Sequence, residues 1–177
     1  MPSFVVQHPL WHICGLILAG LLVAGERRAR SSGILALAIW SMPGVILHEL
    51  SHLLTGILFR ARPTGFSLIP ARHGNRWRLG GVRFARITAF NALPVALAPL
   101  GLAGVLLCLA RNWFTWFAPT LQSTLVFYAV AYYCLSSALP SREDLRIACS
   151  WKSILLYSLL ATIVWLGFQS ALIAFME

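Results

Sequence analysis

The sequence predicts an all-α polytopic membrane protein with about five transmembrane helices and a short β-hairpin at the membrane surface. Of the 177 residues, 59% are hydrophobic and only 11% are charged, whereas soluble domains average about 45–50% apolar and about 25% charged residues. Five apolar runs are also long enough to cross the hydrocarbon core, which takes about 20 residues of α-helix. This composition excludes a soluble enzyme, a disordered chain and a secreted disulfide scaffold.

The apolar runs follow one another without a repeat or a low-complexity linker, so we expect one integral membrane domain over residues 1–177. The runs are residues 9–25, 33–59, 89–110, 120–139 and 153–175. The second run contains Pro43 near its middle, which leaves a shorter or re-entrant segment open there. The first run has the length of a signal peptide, but three arginines follow it and no positive charge precedes it, which favours a retained helix. The sequence does not define the oligomeric state.

Residues 60–88 break the apolar pattern. They contain seven arginines, a Gly-Asn turn signal at 74–75, and partial alternation of apolar and polar residues at 77–79 and 82–84. This pattern predicts a β-hairpin that lies at the membrane surface. The aromatic stretch 113–117 is typical of an interfacial belt and is expected at the opposite interface.

The positive charge lies mostly in the short segments between the apolar runs. The chain has 14 Lys+Arg against 5 Asp+Glu, a formal net charge of +9, and all but one of these cations are arginines. Loop cations of this kind set the orientation of a membrane protein, so we expect a lipid bilayer and no nucleic acid as the partner. Segments 60–88 and 140–152 together hold ten of the cations, which predicts a cytoplasmic position for both. The three arginines between positions 27 and 30 oppose this orientation.

The second apolar run contains His48-Glu49-Leu50-Ser51-His52, an H-E-x-x-H motif. Residues four apart share one face of a helix, so both imidazoles can bind one metal ion, and Glu49 can accept a proton from a water molecule beside them. Ionisable groups inside an apolar helix cost about 2.5–3.5 kcal/mol each on insertion scales, which favours a functional role. The alternative is that these side chains only form hydrogen bonds within the helix bundle.

A catalytic zinc site has three protein ligands and keeps one position open, so a third ligand is needed. The acidic residues of the chain are Glu26, Glu49, Glu143, Asp144 and Glu177. Asp144 is the only aspartate and follows the fourth apolar run. Because the chain crosses the membrane through the third run and returns through the fourth, Asp144 is expected on the same face as His48 and His52. Glu143 is the nearest rival, and either acid can instead pair with neighbouring arginines. We expect a protein of the bacterial inner membrane whose site faces the cytoplasm.

An H-E-x-x-H in a transmembrane helix, followed by a β-rich surface segment and by an aspartate two helices later, resembles the site-2 proteases, a family of intramembrane zinc metalloproteases. The resemblance covers about residues 33–150 as a metalloprotease-like core. It implies a Zn²⁺ cofactor held by His48, His52 and Asp144, with Glu49 as the general base. It also implies an endopeptidase that hydrolyses peptide bonds in or near transmembrane segments, with membrane proteins as substrates.

The second motif of that family has the form N-x-x-P-x-x-x-x-D-G, and residues 137–145 are a drifted version of it. Ser137 stands in place of Asn, and Leu145 stands in place of Gly. One residue fewer separates the proline from Asp144. Ser137 and Asn91, which lies at the start of the third apolar run, are therefore candidate substrate-contacting residues. Asn91 is equally typical of a cap at the start of a helix.

Two other classes of function stay open. One is a non-proteolytic metal-binding membrane protein that keeps the protease fold. The other is a transporter or ion channel that uses buried histidine and glutamate as a relay, although transporters usually have paired half-repeats with broken helices. The hairpin at 60–88 can either bind an extended substrate as an added strand or anchor the chain to the membrane surface.

Overall fold

The structure, a computed structural model, describes residues 8–73 and 76–176. Its helices are α1 (Pro9–Ser32), α2 (Ile34–Leu58), α3 (Ala89–Ala96), α4 (Gly101–Trp116), α5 (Leu121–Ala138), α6 (Arg142–Ala148) and α7 (Trp151–Met176). Its strands are β1 (Pro63–Ser67), β2 (Ala71–His73), β3 (Arg76–Arg78) and β4 (Gly81–Phe84). All four strands therefore fall between α2 and α3, within the segment predicted as a hairpin.

Several helices are long and apolar enough to cross a membrane. In the described part of the chain, four segments qualify alone: α1, α2, the stretch Ala98–Trp116 that contains α4, and Trp151–Gln169 of α7. Helices α5 and α6 meet at a bend of 54° and qualify together as a fifth. The prediction of a helical membrane protein is confirmed at this level.

The helices pack through small side chains, while many large apolar side chains face outward. The small buried residues include Ala29, Ala92, Ala96, Thr124, Ala138, Ala148 and Ser153. Small residues at helix contacts are typical of helices in lipid, because they let the backbones approach closely. The outward apolar side chains, among them Leu107, Val164 and Leu159, suit contact with lipid chains.

Helix α1 is longer than the predicted run 9–25, because it continues through the charged residues to Ser32. Glu26 accepts hydrogen bonds from Arg30, one turn later, and from the Tyr132 hydroxyl of α5 at 2.8 Å. A pair spaced i,i+4 stabilises a helix, so the charged segment extends α1. Gly33 then separates α1 from α2 with a φ of 115°, a conformation that glycine adopts most easily.

Helix α2 passes through Pro43 without ending. The shorter or re-entrant segment that the sequence allowed at this proline is therefore not formed. The next residue, Gly44, lies against α5, and a Cβ added to it would come within 2.7 Å of Ser137 Oγ. The Pro-Gly pair therefore marks a close helix contact that brings α2 against the C-terminal end of α5.

The prediction of one helix over residues 89–110 is wrong. The chain forms α3, a 3₁₀ turn over Ala98–Leu100 and then α4, which reaches Trp116. Pro99 has no N–H to donate and its ring hinders a preceding helical turn, which accounts for the break after α3. The break matters because it brings a backbone carbonyl of α3 to the site described below.

The strands form two antiparallel pairs along one hairpin. Strand β1 pairs with β4, with Pro63 opposite Phe84, and β2 pairs with β3, with Ala71 opposite Arg78. The turn predicted at 74–75 lies outside the described residues. Phe84 packs so closely on α2 that a Cβ on Gly56 would lie 2.2 Å from its ring. The base of the hairpin thus lies on the C-terminal part of α2.

The aromatic stretch 113–117 is only partly an exposed belt. Trp113 is 6% exposed, and its indole N–H donates to the Ser123 carbonyl at 3.1 Å. Its role is to join the end of α4 to the start of α5. Trp116 and Phe117 are exposed and suit the interface.

Candidate metal centre

Three side chains predicted as metal ligands converge at one point. His48 and His52 lie one turn apart on α2, and Asp144 lies in the first turn of α6. The two Nε2 atoms are 3.2 Å apart, and they lie 3.3 Å and 3.2 Å from the two carboxylate oxygens of Asp144. Asp144 therefore lies at the same end of the helix bundle as the two histidines, as the order of the apolar runs predicts.

The outer ring nitrogens of both histidines are held by backbone carbonyls. His48 Nδ1 donates to the Ser137 carbonyl at 2.9 Å, and His52 Nδ1 donates to the Val95 carbonyl at 2.7 Å. Because a carbonyl oxygen only accepts, the proton of each neutral ring lies on Nδ1 and the lone pair lies on Nε2. Contacts of this kind orient metal-binding histidines and fix their tautomer.

The geometry fits a metal ion. With the protons on Nδ1, two lone pairs and a carboxylate face one another, an arrangement that a cation between them stabilises. Two nitrogens bound to one tetrahedral zinc ion at about 2.0–2.1 Å would lie about 3.3–3.4 Å apart, close to the 3.2 Å between His48 and His52. The donor set of two imidazoles and a carboxylate also suits zinc.

A capping box at the start of α6 holds Asp144. The Ser141 backbone N–H donates to Asp144 Oδ2 at 2.7 Å, and the Asp144 N–H donates to Ser141 Oγ at 3.2 Å. Asp144 is also buried, with 7% of its surface exposed. The cap therefore fixes the carboxylate against the two histidines. The spacing S-x-x-D was readable in the sequence as a helix start, but α6 itself was not predicted.

Glu49 lies beside the three ligands in a shared cavity of about 590 Å³. The cavity lies between α2, the hairpin stretch 77–80 and the segment 141–144. Among the residues that the structure describes, none donates a hydrogen bond to the Glu49 carboxylate, so its oxygens are able to accept a proton. Gly80 lets the hairpin come this close, because a Cβ there would lie 3.0 Å from Glu49 Cγ and 2.8 Å from Val45 Cγ1.

The two adjacent acids of α6 have different positions. Glu143 is exposed and lines the cavity, but Asp144 is the acid that contacts the histidines. In the described part of the chain, the grouping of potential metal ligands comprises His48, His52 and Asp144. The geometry thus favours Asp144 over Glu143 as the third ligand.

Asn91 and Ser137, the two candidate substrate-contacting residues, form hydrogen bonds within the protein. Asn91 is 2% exposed, and its amide accepts from the Thr88 N–H and donates to the carbonyls of Phe59 and Arg86. It is a helix cap that ties α3 to the end of α2. The Ser137 hydroxyl donates to the Tyr133 carbonyl, while its own carbonyl accepts from His48. Neither residue lines the cavity beside Glu49, and their contact with a substrate stays a prediction.

The sequence contains no signal for two of the contacts that orient the ligands. The Ser137 and Val95 carbonyls are backbone groups, and any residue type carries one. Only the tertiary contacts of α2 with α5 and α3 bring them to the histidines.

The chain matches no protein-family model, no curated protein and no solved structure.

Proposed function

We propose that this chain is a zinc-dependent intramembrane endopeptidase of the site-2 protease type, which hydrolyses peptide bonds in or near transmembrane segments of membrane proteins. The observation that carries the proposal is the convergence of His48, His52 and Asp144 beside Glu49. Two imidazoles, a carboxylate and a nearby glutamate are the components of a metallopeptidase site. Here they lie within a bundle of long apolar helices.

The number of ligands supports a catalytic rather than a structural metal. Structural zinc sites are almost always closed by four protein ligands, whereas catalytic sites have three and keep one position open. Among the described residues, no fourth His, Cys, Asp or Glu belongs to the group. The adjoining cavity of about 590 Å³ leaves room for a water molecule and a substrate segment.

The residues would divide the reaction between them. His48, His52 and Asp144 would hold the zinc ion, and their backbone partners keep them oriented. When bound, zinc polarises the carbonyl of the scissile peptide bond and makes a water molecule more acidic. Glu49 accepts a proton from the attacking water and donates it to the leaving amide nitrogen.

The substrate must reach this site in an extended form. The carbonyls of a transmembrane helix are occupied by intrahelical hydrogen bonds, so the helix must unwind before a peptide bond can be attacked. The hairpin stretch 77–80 forms one wall of the cavity. Its position supports a role in holding an extended segment beside Glu49.

Charge supports a cytoplasmic opening for the cavity. The segments 60–88 and 140–152, which hold most of the cations, both contribute residues to the cavity wall. Cytoplasmic loops of membrane proteins carry an excess of Lys and Arg. We infer that this end of the bundle faces the cytoplasm.

The test compares Glu49→Gln with Glu143→Gln, because both acids line the same cavity and only Glu49 belongs to the H-E-x-x-H motif. Membranes from cells expressing each form would be analysed by mass spectrometry for new protein N-termini inside transmembrane segments, and the purified proteins for zinc. Because a general base contributes about 10²–10⁴-fold, Glu49→Gln should remove the cleavage products while keeping its zinc.

Glu143→Gln should cleave like the unmodified protein. Zinc binding without any product that depends on Glu49 would contradict the peptidase and would favour the non-proteolytic metal-binding protein. Products that are lost equally in both variants would contradict the role of Glu49.

A further inference from the structure

Three arginines surround a recess at the C-terminal end of α2, away from the metal centre. Arg60, Arg62 and Arg86 line a cavity of about 350 Å³ together with Ile57 and Pro63. A neighbouring recess of about 800 Å³ shares Arg60 and Arg86 with it and adds three apolar and two polar residues, namely Leu58, Phe59, Phe90, Thr88 and Asn91. Neither recess includes a residue of the H-E-x-x-H motif.

The backbone holds these arginines in fixed positions. The Arg86 N–H donates to the Ala61 carbonyl at 3.0 Å, and the Ala85 N–H donates to the Arg62 carbonyl at 2.9 Å. Ala61 is completely buried. The two chain segments that carry the arginines are therefore joined side by side, and the three side chains start from one rigid patch.

Two of the three arginines occupy positions that favour glycine. Arg60 and Arg62 both have a φ of 55°. The Arg60 N–H donates to the Ile57 carbonyl, and the Ala61 N–H donates to the Gly56 carbonyl. These two hydrogen bonds form the Schellman motif that ends many helices, and its left-handed residue is usually glycine. A strained non-glycine residue is often found at a functional site, and here both strained residues line the recess.

The charge of the recess is not balanced by acids. In the part of the chain that the structure describes, no Asp or Glu lines either recess. A cation at the end of α2 is favourable next to the helix dipole, which accounts for Arg60 alone. Three guanidinium groups around one small cavity repel each other, and an anion between them would relieve the repulsion.

Apolar side chains border the larger of the two neighbouring recesses. Leu58 is 77% exposed and Phe90 is 56% exposed, and both line the larger recess beside Arg60 and Arg86. Leu58 ends a candidate membrane span, so the recess lies where a helix would leave the hydrocarbon core. A ligand that fits has an anionic head next to apolar chains.

We propose that Arg60, Arg62 and Arg86 bind the phosphate group of an anionic phospholipid, whose acyl chains lie along Leu58 and Phe90. Arginine binds phosphate oxygens through two parallel N–H groups, and basic patches next to membrane spans bind anionic lipids. The proposal goes beyond the peptidase and does not depend on it, because the lipid site contains none of the proposed catalytic residues.

The test measures lipid binding to the detergent-purified protein by native mass spectrometry. Phosphatidylglycerol and phosphatidylcholine with identical acyl chains would be titrated separately, and inorganic phosphate would be added as a third ligand. The variants are Arg86→Gln and Arg60→Gly, since glycine keeps the left-handed backbone of the helix end. Arg146→Gln, on the exposed surface of α6, is the matched control for loss of one charge.

We expect the protein to retain phosphatidylglycerol in preference to phosphatidylcholine. Since a basic residue near the membrane surface contributes about 1 kcal/mol, each variant of the recess should weaken phosphatidylglycerol binding about fivefold. Arg146→Gln should bind the lipid unchanged, and all variants should keep the helical circular dichroism of the unmodified protein, which reports an intact fold.

Three results would overturn the proposal. One is equal binding of the two lipids. Another is an equal loss in Arg146→Gln and in the recess variants, because this would reflect net charge alone. The third is inorganic phosphate binding as tightly as the lipid, because the recess would then be a site for a free anion.

Discussion

Each proposed ligand is held by a hydrogen bond to a backbone group of a different element. His48 is held by the carbonyl of Ser137 on α5 and His52 by the carbonyl of Val95 on α3. Asp144 accepts from the N–H of Ser141, the residue that caps α6. The motif on α2 therefore supplies two ligands, but their orientation depends on packing against two other helices, α5 and α3.

The cap of α6 should contribute both to zinc binding and to stability. Ser141→Ala keeps the backbone N–H that donates to the Asp144 carboxylate but removes the hydroxyl that accepts from the Asp144 N–H, which loosens the first turn of α6. Zinc affinity should therefore fall, but by less than the about 10–100-fold typical when a group that contacts a ligand is lost. The variant should also lower the free energy of unfolding by about 1 kcal/mol, the usual contribution of a helix cap. Competition with a zinc-binding dye measures the affinity, and thermal unfolding measures the stability.

Thr120→Ala is the matched control for that change. Thr120 caps α5 in the same way, accepting from the Ser123 N–H at 3.1 Å, but it lies outside the metal centre. The control should lose about the same stability and keep its zinc affinity. An equal loss of zinc affinity in both variants would contradict a specific role for the α6 cap.

At the same scale, the sequence predicts the ligand types better than their surroundings. His48, Glu49 and His52 follow from spacing on one helix, and Asp144 follows from the order of the apolar runs. The choice between Asp144 and Glu143 depends on which side chain the first turn of α6 directs inward, which the bend after α5 determines. Asn91 is a polar residue whose two candidate roles the sequence could not separate, and the structure shows it as a helix cap.

At the scale of elements, the errors have physical causes. The charged end of α1 remains helical because Glu26 pairs with Arg30 and with Tyr132 of α5, and the second contact is tertiary. The third apolar run breaks because hydropathy does not register the effect of Pro99 on the backbone. The strands at 60–88 follow the predicted hairpin, but the contact of Phe84 with Gly56 that places its base on α2 is tertiary.

At the scale of elements, the close approach of the hairpin to α2 should be needed for cleavage. Gly80→Ala adds a Cβ that would lie 2.8 Å from Val45 Cγ1 and 3.0 Å from Glu49 Cγ, so the hairpin or Glu49 must move. A displacement of about 1 Å in a catalytic group can cost about 10²-fold in rate, and we expect a loss of about 10–100-fold in cleavage. Zinc content should not change, because the ligands do not contact Gly80.

Gly65→Ala is the control within the same hairpin. Its added Cβ would lie 3.1 Å from Nε of the long Arg83 side chain, and neither residue lines the cavity beside Glu49. Cleavage by this variant should match that of the unmodified protein. Full activity in Gly80→Ala, or an equal loss in Gly65→Ala, would contradict the role of the hairpin in positioning Glu49.

At the scale of the whole molecule, an apolar exterior surrounds a small polar site. Large apolar side chains face outward while small residues fill the helix contacts, as expected for helices in lipid. Three of the five acids of the chain, Glu49, Glu143 and Asp144, line one cavity. Composition thus predicts the membrane setting, whereas the gathering of these acids depends on the arrangement of α2, α6 and the hairpin.

The zinc content of the purified protein and of two neighbouring variants decides whether His48, His52 and Asp144 form a metal centre. We expect one zinc ion per chain in the unmodified protein and in Glu143→Ala, and loss of zinc in Asp144→Ala. Both variants remove one negative charge from the first turn of α6, so they share its loss next to the helix dipole, although Asp144→Ala also loses the carboxylate that accepts from the Ser141 N–H. Undiminished zinc in Asp144→Ala, or equal loss in Glu143→Ala, would contradict the proposed metal centre.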